Sequence, residues 1–262
     1  MTVNSLTPAQ TEFIESVLTL NPRVAAFDCD GTLWSGDVGE GFFSWELEQA
    51  LGSKPAGSDP TSSKPLVSKE VASWARQRYS DYRAGRVAEE VMCGEMVTMH
   101  RGLQEEAVQQ AADAYIAQAI APNIFPELRK LIERLRATGC DVWAVSSSSQ
   151  WLIRSAMRFF GVPQDHILSA EVAVEDGIIT DRLIRVPSGP GKPEAIRSVL
   201  KSSPGSSPAQ GPDCAFGNAI WDREMLAMSK HAFAINPNPN LKEVALAKGW
   251  KVYQPDTNHA GR

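Results

Sequence analysis

Between residues 124 and 253 the sequence alternates amphipathic segments with short apolar ones, and this alternation constrains the fold more than any other feature. Residues 124–139 carry leucine and isoleucine at helical spacing, and the apolar segment 141–145 follows directly. The pattern continues through further apolar segments, at 167–170, 214–216, 232–235 and 250–253. Such an alternation predicts an α/β fold, in which a parallel sheet has helices on both faces.

Two further segments extend the predicted sheet. Residues 23–27 form a short apolar strand that follows a helix predicted over 8–20. Residues 172–184 predict a β-hairpin that turns at Asp176-Gly177, because Asp-Gly favours the tight two-residue turn.

A helical insertion separates the first predicted strand from the rest of the sheet. Helical patterns occur at 42–51, 67–84, 87–99 and 104–121, and no clear strand lies among them. Segments rich in Gly, Ser and Pro, at 52–65 and 202–212, predict long loops. We therefore predict a core formed by residues 1–35 and 122–262, with a helical domain at 36–121.

Composition excludes several classes of protein. The chain has 262 residues and a formal net charge of −5, and it lacks a basic stripe of the kind that binds nucleic acid. No apolar run approaches the roughly 18 residues of a membrane span, and the N-terminus has no secretory pattern. We therefore predict a cytoplasmic protein without a nucleic-acid or membrane partner. The oligomeric state cannot be predicted.

Polar residues with catalytic chemistry follow the predicted strands, at the sheet edge where α/β proteins bind ligands. In chain order they are Asp28, Asp30, Ser146, Ser147, Ser148, Lys192, Asn218 and Asp222. Each alone is also typical of a turn, a helix cap or a solvated surface. Together they make a coherent phosphoryl-transfer site. Carboxylates bind Mg²⁺ and can act as nucleophile or general acid, while lysine offsets phosphate charge.

The segment 27–33, Phe-Asp-Cys-Asp-Gly-Thr-Leu, resembles the first motif of the haloacid dehalogenase (HAD) superfamily. Residues 142–147, 191–192 and 216–218 with Asp222 resemble its second, third and fourth motifs, in the same order. The helical insertion after the first motif is similar to that of the phosphoserine-phosphatase-like branch, subfamily IB. The resemblance implies a HAD-like Rossmannoid core with an all-helical cap of the C1 type.

The resemblance also implies a role for each matching residue. Asp28 would be the nucleophile and a Mg²⁺ ligand, and Asp30 the general acid and base with its carbonyl on the metal. The phosphate would be held by Gly31, Ser146, Ser147 and Lys192. The remaining metal ligands would be Asn218 and Asp222. Asn218 stands where the family usually has aspartate, so we expect weaker metal binding.

Substrate specificity would come from the insertion. In phosphoserine phosphatases an acidic residue shortly after the first motif holds the substrate amine, and Asp37 resembles it, with Glu40 as the neighbouring candidate. The aromatic faces considered for a cationic substrate are those of Trp34, Trp45 and Trp74. Phosphoserine phosphatases use an arginine of the cap to bind the substrate carboxylate, and this chain has Met96 at the matching position. The nearby arginines are Arg83, Arg86 and Arg101, and none of them matches that position.

These observations predict a Mg²⁺-dependent phosphomonoester hydrolase that acts through an aspartyl-phosphate on a small phosphorylated metabolite other than L-phosphoserine. Two alternatives stay open. Asn218 is compatible with a catalytically weak binding or regulatory protein on the same scaffold, and the same site chemistry would serve a phosphotransferase.

Overall fold

The structure is a computed structural model that describes residues 6–52, 65–200 and 211–255. The loops predicted over 52–65 and 202–212 lie outside these residues except at their ends. The described residues form one seven-stranded sheet and ten α-helices. The α/β prediction is therefore confirmed.

The sheet has the strand order β4-β3-β2-β1-β5-β6-β7. Its strands are β1 (Val24–Phe27), β2 (Asp141–Ser149), β3 (Ile167–Glu175), β4 (Ile178–Arg185), β5 (Cys214–Gly217), β6 (His231–Ile235) and β7 (Lys251–Tyr253). All neighbouring strands are parallel except β3 and β4, which form an antiparallel pair at one edge. Because β1 has β2 on one side and β5 on the other, the strand order reverses beside β1. Sheets of this kind bind ligands beyond the carboxyl ends of strands at such a reversal.

Ten helices surround or extend this sheet. They are α1 (Pro8–Leu18), α2 (Val38–Leu51), α3 (Lys69–Arg83), α4 (Glu89–Thr98), α5 (Glu105–Tyr115), α6 (Pro126–Ala137), α7 (Gln150–Met157), α8 (Gly191–Leu200), α9 (Arg223–Met228) and α10 (Pro239–Lys248). None of these helices combines the length and apolarity needed to cross a bilayer.

Successive side chains of β1 face opposite sides of the sheet, and each side has its own apolar cluster. Ala25 and Phe27 belong to a cluster with residues of α1, α6 and α7, whereas Ala26 belongs to one with residues of α8, α9 and α10. Helices therefore cover both faces, which explains why β1 is apolar throughout rather than alternating.

The inserted helices are held in two different ways. Helices α2, α3 and α4 share a separate apolar cluster that includes Phe43, Leu47, Ala72 and Met92. Helix α5 contributes Val108 to the cluster on the sheet and packs along α7, and Phe42 of α2 and Val97 of α4 also belong to that cluster. The division into a core and a cap at 36–121 remains a prediction.

Local structure departs from the sequence prediction at three places. Strand β3 runs unbroken to Glu175 before the predicted hairpin turn, where Asp176 and Gly177 both have positive φ. The serine run 146–149 lies within β2 rather than after it. The helix predicted over 104–121 is wrong at its end: α5 stops at Tyr115, and a π-helical and then a 3₁₀ turn follow up to Asn123.

Candidate active site

A cavity of about 470 Å³ opens at the carboxyl edge of the sheet. One wall consists of residues that end or follow the central strands: Asp28, Asp30, Gly31, Ser147, Ser148, Ser149, Asn218, Trp221, Asp222 and Asn236, with Lys192 from α8. Helices α2 and α4 provide the opposite wall, which includes Glu40, Phe42, Phe43, Glu46, Glu89, Met92 and Met96. The cavity therefore lies between the sheet and the inserted helices.

Lys192 joins the first and fourth motifs at the base of this cavity. Its Nζ donates to Asp28 Oδ1 and to Asp222 Oδ1 at 2.6 Å each, and to the Val145 carbonyl at 3.1 Å. All three charged side chains are buried. Thr32 Oγ1 donates to the second Asp28 oxygen at 2.7 Å, so the Asp28 carboxylate is fixed from both sides.

Burial and the neighbouring charge of Asp222 raise the pKa of Asp28 to about 6, although Lys192 opposes this shift. Burial by itself would lower the pKa of Lys192, but the two carboxylates outweigh it and raise that pKa well above its ordinary value. Lys192 is therefore an ammonium ion at any physiological pH and supplies a fixed positive charge beside Asp28.

Asp30 is held from three directions at the entrance of α2. Trp34 Nε1 and the backbone N–H of Val38 donate to its Oδ1, at 3.0 and 2.7 Å. Ser148 Oγ donates to its Oδ2 at 2.7 Å. Burial and repulsion from Asp37 raise the pKa of Asp30 to about 8, so its carboxyl retains a proton near neutral pH. A positioned carboxyl of this kind can serve as a general acid.

Ser148 is one of the serines that the sequence places at this edge, but no role was predicted for it. Its hydroxyl approaches α2 so closely that a Cβ on Gly39 would lie 2.7 Å from it. Ser146, which the resemblance assigned to phosphate binding, is buried and accepts the backbone N–H of Ser148 on its Oγ at 3.1 Å. Ser147 lines the cavity, whereas Ser146 is not among the lining residues. The sequence shows four consecutive serines at 146–149, and only the packing of α2 shows that Ser148 is the one that contacts Asp30.

Gly31 and Asn218 are in close contact. Gly31 has φ +70°, and a Cβ there would lie 1.9 Å from Asn218 Nδ2. Only glycine permits this approach, which brings the fourth motif against the first. The backbone carbonyl of Asn218 also accepts the backbone N–H of Asn238 at 2.8 Å, so Asn218 is held on two sides.

Two of the predicted Mg²⁺ ligands, Asp28 and Asp222, already have hydrogen-bond partners on both carboxylate oxygens. Across the described residues, no group of three or more His, Cys, Asp or Glu side chains could hold a metal ion. Asp222 already accepts from Lys192 on Oδ1 and from the backbone N–H groups of Asn218 and Ala219 on Oδ2. Its role as a ligand remains a prediction. The Asp28 carboxylate, the Asn218 amide and the Asp30 carbonyl still supply the hard oxygen donors that Mg²⁺ prefers, so the residues fit this ion in kind.

The two predicted specificity residues both line the cavity. Asp37 caps α2 by accepting the backbone N–H of Glu40 at 2.8 Å. The Glu40 carboxylate lies 3.9 Å from Arg83 Nη1 across the rim. These contacts place Asp37 and Glu40 at the start of α2, facing the cavity above the carboxyl edge of the sheet.

The three tryptophans considered for a cationic substrate do not line the cavity. Trp34 is fully buried and bound to Asp30, and neither Trp45 nor Trp74 lines the cavity. The tryptophan that does line it is Trp221, between Asn218 and Asp222 of the fourth motif.

No arginine is among the described residues that line the cavity, whereas Met96 is. Arg101 and Arg86 bind Asp181 and Asp81 at the surface instead, at 2.8 and 2.6 Å. The described part of the cavity lining therefore has no guanidinium group that would pair with a substrate carboxylate.

The four motifs also lie within the region that matches a known protein family. A sequence model of the haloacid dehalogenase-like hydrolase family matches residues 25–227, which include all four motifs. The chain belongs to this family. The resemblance inferred from the motifs is thereby confirmed.

Relatives of known name are distant. A probable phosphatase of Mycobacterium tuberculosis is 28% identical over 158 residues, covering 60% of this chain and 53% of its own length. This chain thus spans about half the length of that relative. A histidinol-phosphatase of Neisseria meningitidis is 21% identical over 232 residues, covering 88% of this chain and 97% of its own.

A solved structure of phosphoserine phosphatase, an analogue of its phospho-aspartyl intermediate, has the same fold. It superposes with a TM-score of 0.57 at 17% identity, covering 90% of this chain and 94% of that one. This similarity shows that the two proteins share a fold.

Proposed function

We propose that this protein is a Mg²⁺-dependent phosphomonoester hydrolase that works through a phosphorylated Asp28. The observation that carries the proposal is the pairing of two differently held carboxyl groups at one cavity. Asp28 is ion-paired with Lys192, whereas Asp30 is bound by hydrogen-bond donors only. Such a pair suits a nucleophile beside a general acid, because the two groups need opposite protonation states.

In the first step, a carboxylate oxygen of Asp28 attacks the phosphorus atom of the ester. The bond from phosphorus to the alcohol oxygen breaks, and Asp30 gives its proton to that leaving oxygen. In the second step, Asp30 takes a proton from water as the water oxygen attacks phosphorus. The bond from phosphorus to Asp28 then breaks, which releases inorganic phosphate and restores the protonated Asp30.

The rest of the site stabilises charge on the transferred group. Lys192 would neutralise phosphoryl oxygens, together with Ser147 and the backbone beside Gly31. Asp28, the Asp30 carbonyl and Asn218, with Asp222 as the further predicted ligand, would hold Mg²⁺. The ion, when bound, would offset negative charge on the phosphoryl oxygens.

We further propose that the substrate is a small phosphorylated metabolite other than L-phosphoserine. The cavity size and the lack of a lining arginine among the described residues support this choice. The phosphatase names of the two relatives support the reaction class, since both are named for phosphate-ester chemistry. Cytoplasmic location remains a prediction.

Hydrolysis of p-nitrophenyl phosphate with and without Mg²⁺ tests the reaction. We expect Mg²⁺-dependent turnover that falls by about a thousandfold or more in Asp28→Asn, as is typical when a covalent nucleophile is removed. Asp30→Asn should impair alkyl phosphates more than p-nitrophenyl phosphate in kcat/KM, because the nitrophenolate leaves without a proton. Glu133→Gln on the surface of α6 is the control.

Circular dichroism and urea unfolding would establish that each variant is folded. Undiminished turnover by folded Asp28→Asn protein would contradict the proposed mechanism. If the wild type has no turnover with any phosphate ester, the binding or regulatory alternative is favoured. Transfer of phosphate to an added alcohol would instead identify a phosphotransferase.

A further inference from the structure

Trp221 and Glu89 approach the same short loop from opposite walls of the cavity. Glu89 begins α4, and its Oε1 accepts the Ser188 hydroxyl at 2.7 Å. The Trp221 ring lies 3.8 Å from where a Cβ on Gly189 would be. Since Ser188 and Gly189 are adjacent, and the carboxylate and the indole both line the cavity, these two groups meet the cavity at the same loop.

The positive charges of the cavity are already matched. Lys192 is paired with Asp28 and Asp222, and the buried His100 is paired with Glu46 at 2.6 Å. Glu89 forms no ion pair with any described residue, and its carboxylate accepts the neutral Ser188 hydroxyl. Burial raises the pKa of Glu89 to about 7, although the Ser188 hydrogen bond and the charge of Lys192 oppose this shift. A cation bound beside Glu89 would favour its ionised form, because no basic side chain among the described residues is paired with it.

The two remaining features concern accessibility and an unused polar atom. Trp221 is 46% exposed although it is large and apolar, so its ring is open to an incoming molecule. Ser149 lines the same cavity and is buried, yet its Oγ has no hydrogen-bond partner among the described residues. A buried hydroxyl without a partner costs free energy, which a polar ligand atom would recover.

We infer that the hydrolase selects phosphate esters whose alcohol part carries a positive charge and no carboxylate, with Trp221 and Glu89 binding the cation. An ammonium group gains from an indole face and from a carboxylate at once. The Ser149 hydroxyl would form a hydrogen bond with a polar atom in the alcohol part of the substrate. A carboxylate on the substrate would face Glu89 and Glu46 with no arginine to pair with it. This inference rests on the proposed phosphatase function for the position of the phosphate.

Matched substrates test it directly. We would compare kcat/KM for phosphocholine with that for 3,3-dimethylbutyl phosphate, in which carbon replaces the charged nitrogen. The second pair is ethanolamine phosphate and propyl phosphate, and L-phosphoserine measures the effect of an added carboxylate. We expect the cationic member of at least one pair to be favoured at least about fivefold, and L-phosphoserine to be disfavoured against ethanolamine phosphate. Ratios near one in both pairs would overturn the inference.

Variants then identify the residues responsible. Glu89→Gln keeps an acceptor for Ser188 but removes the charge, and Trp221→Leu removes the aromatic face. Each should bring the ratio within the favoured pair towards one. The matched controls are Glu90→Gln, the adjacent exposed residue, and Trp74→Leu, which is 45% exposed but distant from the cavity lining. Controls that lower the ratio as much as the test variants would contradict the assignment.

Calorimetric binding of the same pairs to Asp28→Asn protein separates this inference from the proposed function. That variant cannot form the phospho-aspartyl bond, so binding is measured without turnover. A cation preference in binding with no turnover by the wild type would support the inference and contradict the hydrolase. Turnover of p-nitrophenyl phosphate without a cation preference in either assay would support the hydrolase and contradict the inference.

Discussion

Ser148 Oγ donates a 2.7 Å hydrogen bond to Asp30 Oδ2, which links the end of β2 to the loop after β1. Asp30 is also bound by Trp34 and by the backbone of α2, so the serine completes a three-sided support. The proposed general acid is thus positioned by the sheet and by the first inserted helix together.

Replacing Ser148 by alanine should therefore disturb proton delivery rather than substrate binding. A hydrogen bond between neutral groups is worth about 0.5–1.5 kcal/mol, so we expect kcat/KM for alkyl phosphates to fall about threefold to tenfold. The decrease should be smaller for p-nitrophenyl phosphate, whose leaving group needs no proton. Ser198→Ala, where the hydroxyl bonds only to its own helix, is the control. An equal loss for both substrate types would argue against a positioning role.

Asn218→Asp should tighten Mg²⁺ binding. Aspartate has the same shape as asparagine, so it fits against Gly31, and it adds one negative charge to the oxygen donors. We expect the Mg²⁺ concentration for half-maximal activity to fall by about tenfold, which corresponds to about 1.4 kcal/mol. The measurement is a Mg²⁺ titration of turnover, with exposed Asn240→Asp on α10 as the comparison. Unchanged metal affinity in Asn218→Asp would refute the prediction.

Lys192→Met should destabilise the fold as well as abolish activity. The ammonium group is the shared partner of buried Asp28 and Asp222, so its loss leaves two carboxylates without a counter-charge. Breaking a buried pair in this way costs about 3–5 kcal/mol of the free energy of unfolding. Urea unfolding without Mg²⁺ measures this cost. Lys130→Met breaks an exposed pair with Glu133 and should cost less than about 1 kcal/mol.

A comparable loss in both lysine variants would show that the buried pair has no special contribution. Full activity of folded Lys192→Met protein would contradict its proposed role in neutralising the phosphate.

The buried pair of His100 and Glu46 predicts a pH-dependent stability. Burial alone would lower the pKa of His100, but the Glu46 carboxylate and the Val97 carbonyl, which face its two ring nitrogens, raise the net pKa above 6.5. A raised histidine pKa stabilises the fold fully below the unfolded value, about 6.5, and the contribution disappears as pH rises through the folded value.

We therefore expect the difference in unfolding free energy between the wild type and His100→Gln to be largest below pH 6.5 and to shrink at higher pH. Urea unfolding at pH 5.5, 7 and 8.5 measures it, with exposed His231→Gln as the control. A difference that is constant with pH, or grows as pH rises, would show that His100 is not held as a cation by Glu46.

Much of the fold and the catalytic edge could be predicted because the signals are local. The strand Val24–Phe27 is apolar throughout, and Asp28 follows it directly. In the same way, Asn218 directly follows the strand Cys214–Gly217. The turn at Asp176-Gly177 could also be predicted, since its positive φ angles depend on those two residue types. The end of α5 could not be predicted, because the helical pattern continues into a segment that adopts π-helical and 3₁₀ turns before α6.

The sequence by itself determined the α/β architecture, the family and the line of residues from Asp28 to Asp222 at one sheet edge. Only the tertiary structure decided which members of that line touch. It directed Ser148 rather than its neighbours to Asp30, engaged both oxygens of Asp222, and brought Trp221 instead of Trp34, Trp45 or Trp74 to the cavity. The physical reason is that strand ends are specified by adjacent residues, whereas these contacts depend on how inserted helices pack against the sheet across long stretches of chain.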